Sequence, residues 1–296
     1  MDHTALIKSL PAETRATLME RSDGLGLRHL ALYLCALLLC TAGIATRIPL
    51  WPVLLLPQGI LLVFLFTLSH ECTHKTPFRS GWLNEAVGHL VALLIALPFV
   101  WFRYFHLAHH KWTNDPARDP ELAGKPRPDS RASLLIYLSG WFYWKGMAGT
   151  LVNNAFGRID APYLPARQHG AMRLEARVLL ALYALAALSL LASPVLFWIW
   201  LLPLLIGQPV LRLYLLAEHG LCPLVANMLE NSRTTFTNRI VRFLAWNMPY
   251  HAEHHALPNV PFHKLPAFHD WTRAHLKSTS DGYIEFTSDY ARSLAR

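Results

Sequence analysis

Residues 50–74 read LWPVLLLPQGILLVFLFTLSHECTH, with no charged side chain before Glu71. A helix of roughly 20 mostly apolar residues crosses the ~30 Å hydrocarbon core of a bilayer, so this run is long enough to span one. It closes on His70 and His74, four residues apart, which a helix places on one face. An apolar span that ends on paired imidazoles sets the terms on which the remaining sequence is read.

Composition agrees with a membrane class. Of 296 residues, 53% are hydrophobic and 16% charged, and the mean hydropathy is positive. Ordinary soluble domains carry about 25% charged residues. An apolar run over about 29–46 comes first, then the turn Arg47-Ile48-Pro49, then a span over about 50–69. Two further spans are read at about 178–193 and 195–217, separated at Ser193-Pro194. The stretch 82–101 is apolar too, but it contains Asn84, Glu85, His89 and Pro98, and a crossing there would put His74 and His106 on opposite faces. It is read as a buried or interfacial helix, or a re-entrant pair. Residues 113–130, rich in Pro and Asp, read as a structured loop outside the lipid. Residues 131–152, with Trp141, Tyr143, Trp144 and Lys145, read as one amphipathic interfacial helix. The stretch 153–177 is again polar.

The expected fold is all-α, with four membrane helices in two hairpins and a cytosolic helical cap. The outer turns then hold one charge, Arg47, and nearly every other Lys and Arg lies on the side of both termini. The positive-inside rule places the termini and the histidine clusters in the cytoplasm and accounts for the net charge of +8 without a nucleic-acid partner. Met1-Asp2-His3-Thr4 lacks a basic lead into a short apolar core, so no cleavable signal peptide is expected. Cys35, Cys40, Cys72 and Cys222 form no C-x-x-C pair, and no disulfide framework is expected. No repeat or composition shift marks a join. One domain is expected over 1–296, its cytosolic part being 70–177 and 218–296.

Eight of the sixteen histidines fall in three clusters: His70 and His74; His106, His109 and His110; His251, His254 and His255. The last two share the pattern H-x-x-H-H. Eight imidazoles exceed what one metal needs and suit two. Neutral imidazole suits Fe, Zn, Cu and Ni, while the lack of clustered thiolates argues against Fe–S or structural zinc. A binuclear iron site is the best fit. Two other readings stand beside it. The order His70-Glu71-Cys72-Thr73-His74 matches the H-E-x-x-H of zinc metalloproteases, with Glu71 as general base, but leaves six histidines without a role. A histidine-rich divalent-cation transporter would place its ligands near the bilayer midplane, whereas these clusters lie at span ends.

The boxes HECTH, HLAHH and HAEHH on four spans resemble the membrane fatty acid desaturase and alkane hydroxylase superfamily. The likeness extends through His109-His110-Lys111-Trp112-Thr113-Asn114-Asp115, Asp119-Pro120-Glu121-Leu122 and Trp246-Asn247-Met248-Pro249-Tyr250, and covers roughly residues 30–275. It implies a helical bundle capped by a cytosolic di-iron centre, O₂ as co-substrate, and removal of hydrogen from an unactivated C–H bond of an acyl lipid or alkyl chain, ending in an alkene or an alcohol. Ala217-Glu218-His219-Gly220 is similar to the E-H-x-G region that supplies a further ligand in alkane hydroxylases, which makes His219 a ninth ligand. The bland alternative is an interfacial histidine paired with Glu218. Animal acyl-CoA desaturases place an asparagine and water there, so this sequence departs from them.

Ligating histidines donate their second N–H to a carboxylate or carbonyl, and Glu71, Asp115, Asp119, Glu218 and Glu253 lie beside the boxes. Cys72 is read as packing, His263 as structural or supporting, and His89 as reaching the centre only if its helix packs beneath it. His3, His29, His169, His269 and His275 are read as ordinary surface or interface residues. Gln208 and Arg212 precede His219 by two to three helical turns, within or near the membrane, and are expected to line a substrate cavity or meet a headgroup. The sequence contains no haem, ferredoxin, rubredoxin or dinucleotide motif of its own. An external donor of ferredoxin, rubredoxin or cytochrome b5 type with a reductase is therefore implied. Arg103, Lys111, Arg118, Arg233, Arg239 and Arg242 either dock such an acidic carrier or simply follow the positive-inside rule. The expected location is a membrane, a bacterial inner membrane in the reading that fits the resemblance.

Overall fold

The computed structural model describes residues 1–123 and 127–294. Two short helices, α1 (His3–Ser9) and α2 (Ala12–Leu18), lead into α3 (Asp23–Ala45), whose first turn is capped by Ser22 Oγ accepting from the Leu25 N–H. A turn and a 3₁₀ segment carry the chain into α4 (Leu55–His74). There follow α5 (Gly81–Ile95), α6 (Phe99–Trp112), α7 (Arg131–Leu138), α8 (Trp141–Ala155), α9 (His169–Ser189) and α10 (Leu202–His219), the last entered through a π-helical turn at Phe197–Leu201. The C-terminal part holds α11 (Met228–Asn231), α12 (Arg239–Leu244), α13 (His251–Ala256), α14 (Leu265–Thr272) and α15 (Tyr283–Ser293). One departure from the all-α expectation is a two-residue parallel pairing of β1 (Thr234–Thr235) with β2 (Thr279–Ser280).

Ala12–Ala45, Trp51–His74 and Phe197–His219 are long and apolar enough to cross a bilayer. Large side chains on α3 have no protein cover: Leu38 and Leu39 are 64% and 67% exposed, which suits lipid and not water. The chain is an integral membrane protein. The span expected at 178–193 falls on α9, which starts at His169, stops at Ser189 and carries Arg173, Glu175 and Arg177, and it is not among those three stretches. Residues 81–112 fold as two helices, and α5 and α6 pass the same test only as a pair bent by 99°. The single helix expected over 131–152 is α7 and α8, broken at Ser139-Gly140. Gly140 takes φ +73°, a left-handed conformation that favours glycine. Of the loop expected over 113–130, residues 124–126 lie outside the described residues, as do 295 and 296 of the expected cytosolic part.

Two contacts fix the helices that carry the histidines. Along the α4–α10 seam, a Cβ on Gly59 would lie 2.4 Å from the Pro203 carbonyl oxygen, and one on Gly207 2.4 Å from the Gly59 oxygen. The backbones touch there, the close approach that small residues give membrane helix pairs. At the α5–α6 bend, Ala96 turns left-handed at φ +55° and Pro98 follows. The buried Glu175 carboxylate of α9 accepts from the Phe99 and Val100 N–H groups at 3.0 and 2.9 Å, and its Oε1 lies 2.8 Å from Nδ1 of His89 on α5. It satisfies two of the unbonded donors that open α6 and favours its positive end, holding three helices at one point.

Candidate metal centre

The three boxes and His219 meet. His70 and His74 sit on the last turn of α4, His106, His109 and His110 on α6, His219 at the end of α10, and His251, His254 and His255 on α13. His70, His74, His106, His110 and His254 each bring one ring nitrogen within 4.8 Å of the others, and His109, His219 and His255 form a second such group. The groups adjoin, with the His110 and His255 rings stacked at 4.1 Å. His251 joins the second through its Nε2, 3.0 Å from His219 Nε2. His70, His106, His109, His219, His251, His254 and His255 are all buried.

Hydrogen bonds on the far side of each ring decide what faces inward in the second group. His109 Nδ1 lies 2.9 Å from Asp119 Oδ1, and a carboxylate only accepts, so the proton is on Nδ1. His219 Nδ1 lies 3.1 Å from the Asn231 carbonyl oxygen, also an acceptor only. Thr113 Oγ1 donates to the His109 carbonyl at 2.9 Å and lies 3.1 Å from His255 Nδ1, which must therefore be its donor. Three Nε2 lone pairs then converge without protons, those of His109 and His219 being 3.2 Å apart. Bare lone pairs at that distance repel. Two nitrogens bound at about 2.1 Å to one metal at roughly right angles lie about 3.0 Å apart, so a cation is the group that fits. Thr113 and Asn231 were not singled out by sequence reasoning. Thr113 lies within the second-box run, whereas Asn231 acts through its backbone and leaves no side-chain signal.

The first group shares the close approach of ring nitrogens but not the outer hydrogen bonds. His74 and His106 face each other Nε2 to Nε2 at 3.0 Å, and His110 and His254 at 3.1 Å, while His70 Nε2 and the Nδ1 atoms of His110 and His254 are buried with no hydrogen-bond partner among the described residues. Burial pushes His251, His254 and His255 well below the ordinary imidazole range, helped by neighbouring rings, so all three are neutral and available as ligands. Glu71 Oε1 stands 3.7 Å from His254 Nδ1, while its Oε2 accepts from Thr76 Oγ1 and the Phe262 N–H. Its Oε1 has no hydrogen-bond partner among the described residues, but the side chain is fully enclosed, and a carboxylate shut away from water is poorly placed as a general base, which weighs against the protease reading. Glu218 Oε1 faces His251 Nδ1 at 3.4 Å.

Other expected residues lie elsewhere. Asp115 bonds the Ala117 N–H and Arg118, not a box histidine, because it closes the turn after α6. Glu253 points away from the rings: it accepts from Thr234 and Thr272, and its Oε1 is 2.5 Å from Nδ1 of His269, so His269 is no ordinary surface residue. Arg233 is buried and spent on the carbonyls of Ala217 and Gly220, which removes it from any docking surface, whereas Lys111 and Arg239 are exposed. Arg103 pairs with Glu85 and Arg242 with the Tyr250 hydroxyl. His89 stays with Glu175, and His263 packs on Phe262. Cys72 is buried in the apolar core. His3 bonds Asn227, while His29 and His169 lie against the carbonyl oxygens of Phe243 and Leu164. Gln208 is buried on α10, and Arg212 lies over the Tyr143 ring.

A sequence model of the fatty acid desaturase family matches residues 45–287. An sn-1 oleoyl-lipid 12-desaturase of Arthrospira platensis is 24% identical over 234 residues, covering 72% of this chain and 66% of that protein. A bifunctional fatty acid conjugase/Delta(12)-oleate desaturase of Punica granatum is 35% identical over 69 residues, 23% of this chain and 18% of that one. An sn-1 acyl-lipid omega-3 desaturase (ferredoxin) of a Nostoc strain is 35% identical over 69 residues, 23% and 19% of the two chains. The matches thus span less than two thirds of these relatives' own lengths. With a family match that runs through all three boxes and His219, the chain belongs to the fatty acid desaturase family.

Proposed function

We propose that this chain is a membrane oxidoreductase that binds two irons in the adjoining histidine groups and uses O₂ to desaturate the acyl chain of a lipid. The observation that carries this reading is the set of inward-facing Nε2 atoms at 3.0–3.2 Å, together with the second group's outer nitrogens, those of His109, His219 and His255, which are held by Asp119, the Asn231 carbonyl and Thr113. His70, His74, His106, His110 and His254 would hold one iron, and His109, His219, His251 and His255 the other. Bound iron, with O₂ and two external electrons, supplies the oxidant that takes hydrogen from an unactivated C–H bond. The chain's own part is to keep His109, His219 and His255 in the Nε2-free tautomer, exclude water by burial and carry the rings on helix ends.

The relatives' printed activities favour desaturation over hydroxylation, and one relative named for ferredoxin favours a donor of that type. In the proposed topology, one domain crosses a bacterial inner membrane as two hairpins, with both termini and the metals on the cytoplasmic side. The test is expression with ferredoxin and its reductase, followed by lipid product analysis and iron determination. Two irons per chain and a new alkene are expected, and His254→Ala should abolish the product. An alcohol would assign hydroxylation; a single tightly held zinc would support the protease reading, and loosely exchanging zinc a transporter.

A further inference from the structure

Three buried polar atoms on neighbouring helices have no hydrogen-bond partner among the described residues. Gln208 is 2% exposed, and its Oε1 is buried with no hydrogen bond among the described residues. One turn further along α10, Arg212 lays its guanidinium 4.7 Å from the centre of the Tyr143 ring, yet its Nε is buried and unbonded. Trp144, beside Tyr143 on α8, has a buried Nε1 in the same condition. The glycine break between α7 and α8 gathers them: a Cβ on Gly140 would lie 3.2 Å from Gln208 Cγ and 3.3 Å from Trp144 Nε1.

Polar atoms buried without partners are costly, and an ionisable one in a membrane helix marks function more often than accident. Two of these atoms are fixed N–H donors, and the amide can turn its NH₂ inward by a flip. Glu121 and Glu218 act on Arg212 only through space. Donors beside a positive charge are complementary to oxygen that carries negative charge.

We infer that Gln208, Arg212 and Trp144 form a subsite for the anionic oxygens of an acyl-chain amphiphile. That this amphiphile is the substrate rests on the proposed lipid oxidation; that the subsite binds it does not. Arg212 precedes His219 by seven residues, about 10 Å along a helix, so the carbon attacked lies well along the chain from the anionic end. A carboxylate and a phosphate carry the same recognition chemistry.

The test titrates the metal-loaded protein, in micelles of the non-ionic detergent dodecyl maltoside without O₂ or reductant, with dodecanoate, dodecyl phosphate and dodecan-1-ol. Charge-assisted hydrogen bonds of this kind are expected to favour the anions over the alcohol by about tenfold or more. The tighter anion identifies a carboxylate or a phosphate as the natural group. Arg212→Met should remove most of that preference and leave alcohol binding unchanged. Trp144→Phe, which deletes one N–H and little volume, should weaken the anions alone. Iron content and melting temperature confirm that each variant is folded. Alcohol bound by the wild type as tightly as the anions, or anion affinity untouched in both variants, overturns the subsite. Because nothing is turned over, failure to oxidise lipid leaves the binding result standing, and failure to bind leaves the oxidation test standing.

Discussion

Asp119→Asn is the sharpest perturbation of the proposed centre, because it changes one atom type and almost no volume. The carboxylate accepts from His109 Nδ1 at 2.9 and 3.0 Å, from the Asn114 N–H at 2.9 Å and from the Glu121 N–H at 2.9 Å. An asparagine has one acceptor oxygen for these donors, and its NH₂ would face an N–H. The conflict is relieved if His109 moves its proton to Nε2, which removes the lone pair needed by the metal. Loss of such an outer partner costs roughly 10- to 100-fold in metal affinity, or about 1.4–2.8 kcal/mol. Only the group of His109, His219, His251 and His255 should suffer. Iron retained per chain, measured across a graded chelator series, should therefore fall from two towards one at a chelator concentration about 10- to 100-fold lower than for the wild type, with the second iron unaffected. A chelator curve identical to wild type in a folded Asp119→Asn protein would refute both the tautomer argument and the assignment of His109 as a ligand.

Four other outcomes follow from contacts already described. Glu175→Ala leaves the Phe99 and Val100 N–H groups and His89 without their acceptor and should cost about 1–3 kcal/mol, read as a lower melting temperature; Glu175→Gln should cost less. His269→Phe removes one donor from the enclosed Glu253 and should destabilise by a similar ~1–3 kcal/mol, with no loss of stability if that bond is unimportant. Gly59→Val forces α4 from α10 and should cost at least ~1–3 kcal/mol, seen as poor yield of iron-loaded protein. Stripping metal with chelator should remove up to ~4 kcal/mol of stability per site for free metal held a thousandfold above its dissociation constant, seen as a lower melting temperature that ferrous iron restores.

Much of the centre was legible because imidazoles three and four apart on a helix have one geometric meaning. His70 with His74, and His251 with His254 and His255, needed only that periodicity. His219 was reached through the likeness of Glu218-His219-Gly220 to a family region, and the structure places its Nε2 against both His109 and His251. What could not be read were directions. Glu253 lies between two candidate ligand positions in sequence, but α13 turns it outward to Thr234, His269 and Thr272. Arg233 looks like a surface cation until the chain folds its guanidinium onto the end of α10. The membrane path was harder still. Hydropathy alone cannot tell that residues 81–112 bend by 99°, because the carboxylate that holds the bend comes from α9, about 75 residues later.

The seam between Gly59 and Gly207 also limits how a lipid tail can arrive. Where main chain abuts main chain with no room for a methyl group, no alkyl chain can slide between. That side of the bundle is a closed wall, and a lipid tail bound for the histidines has to arrive along another flank of α10.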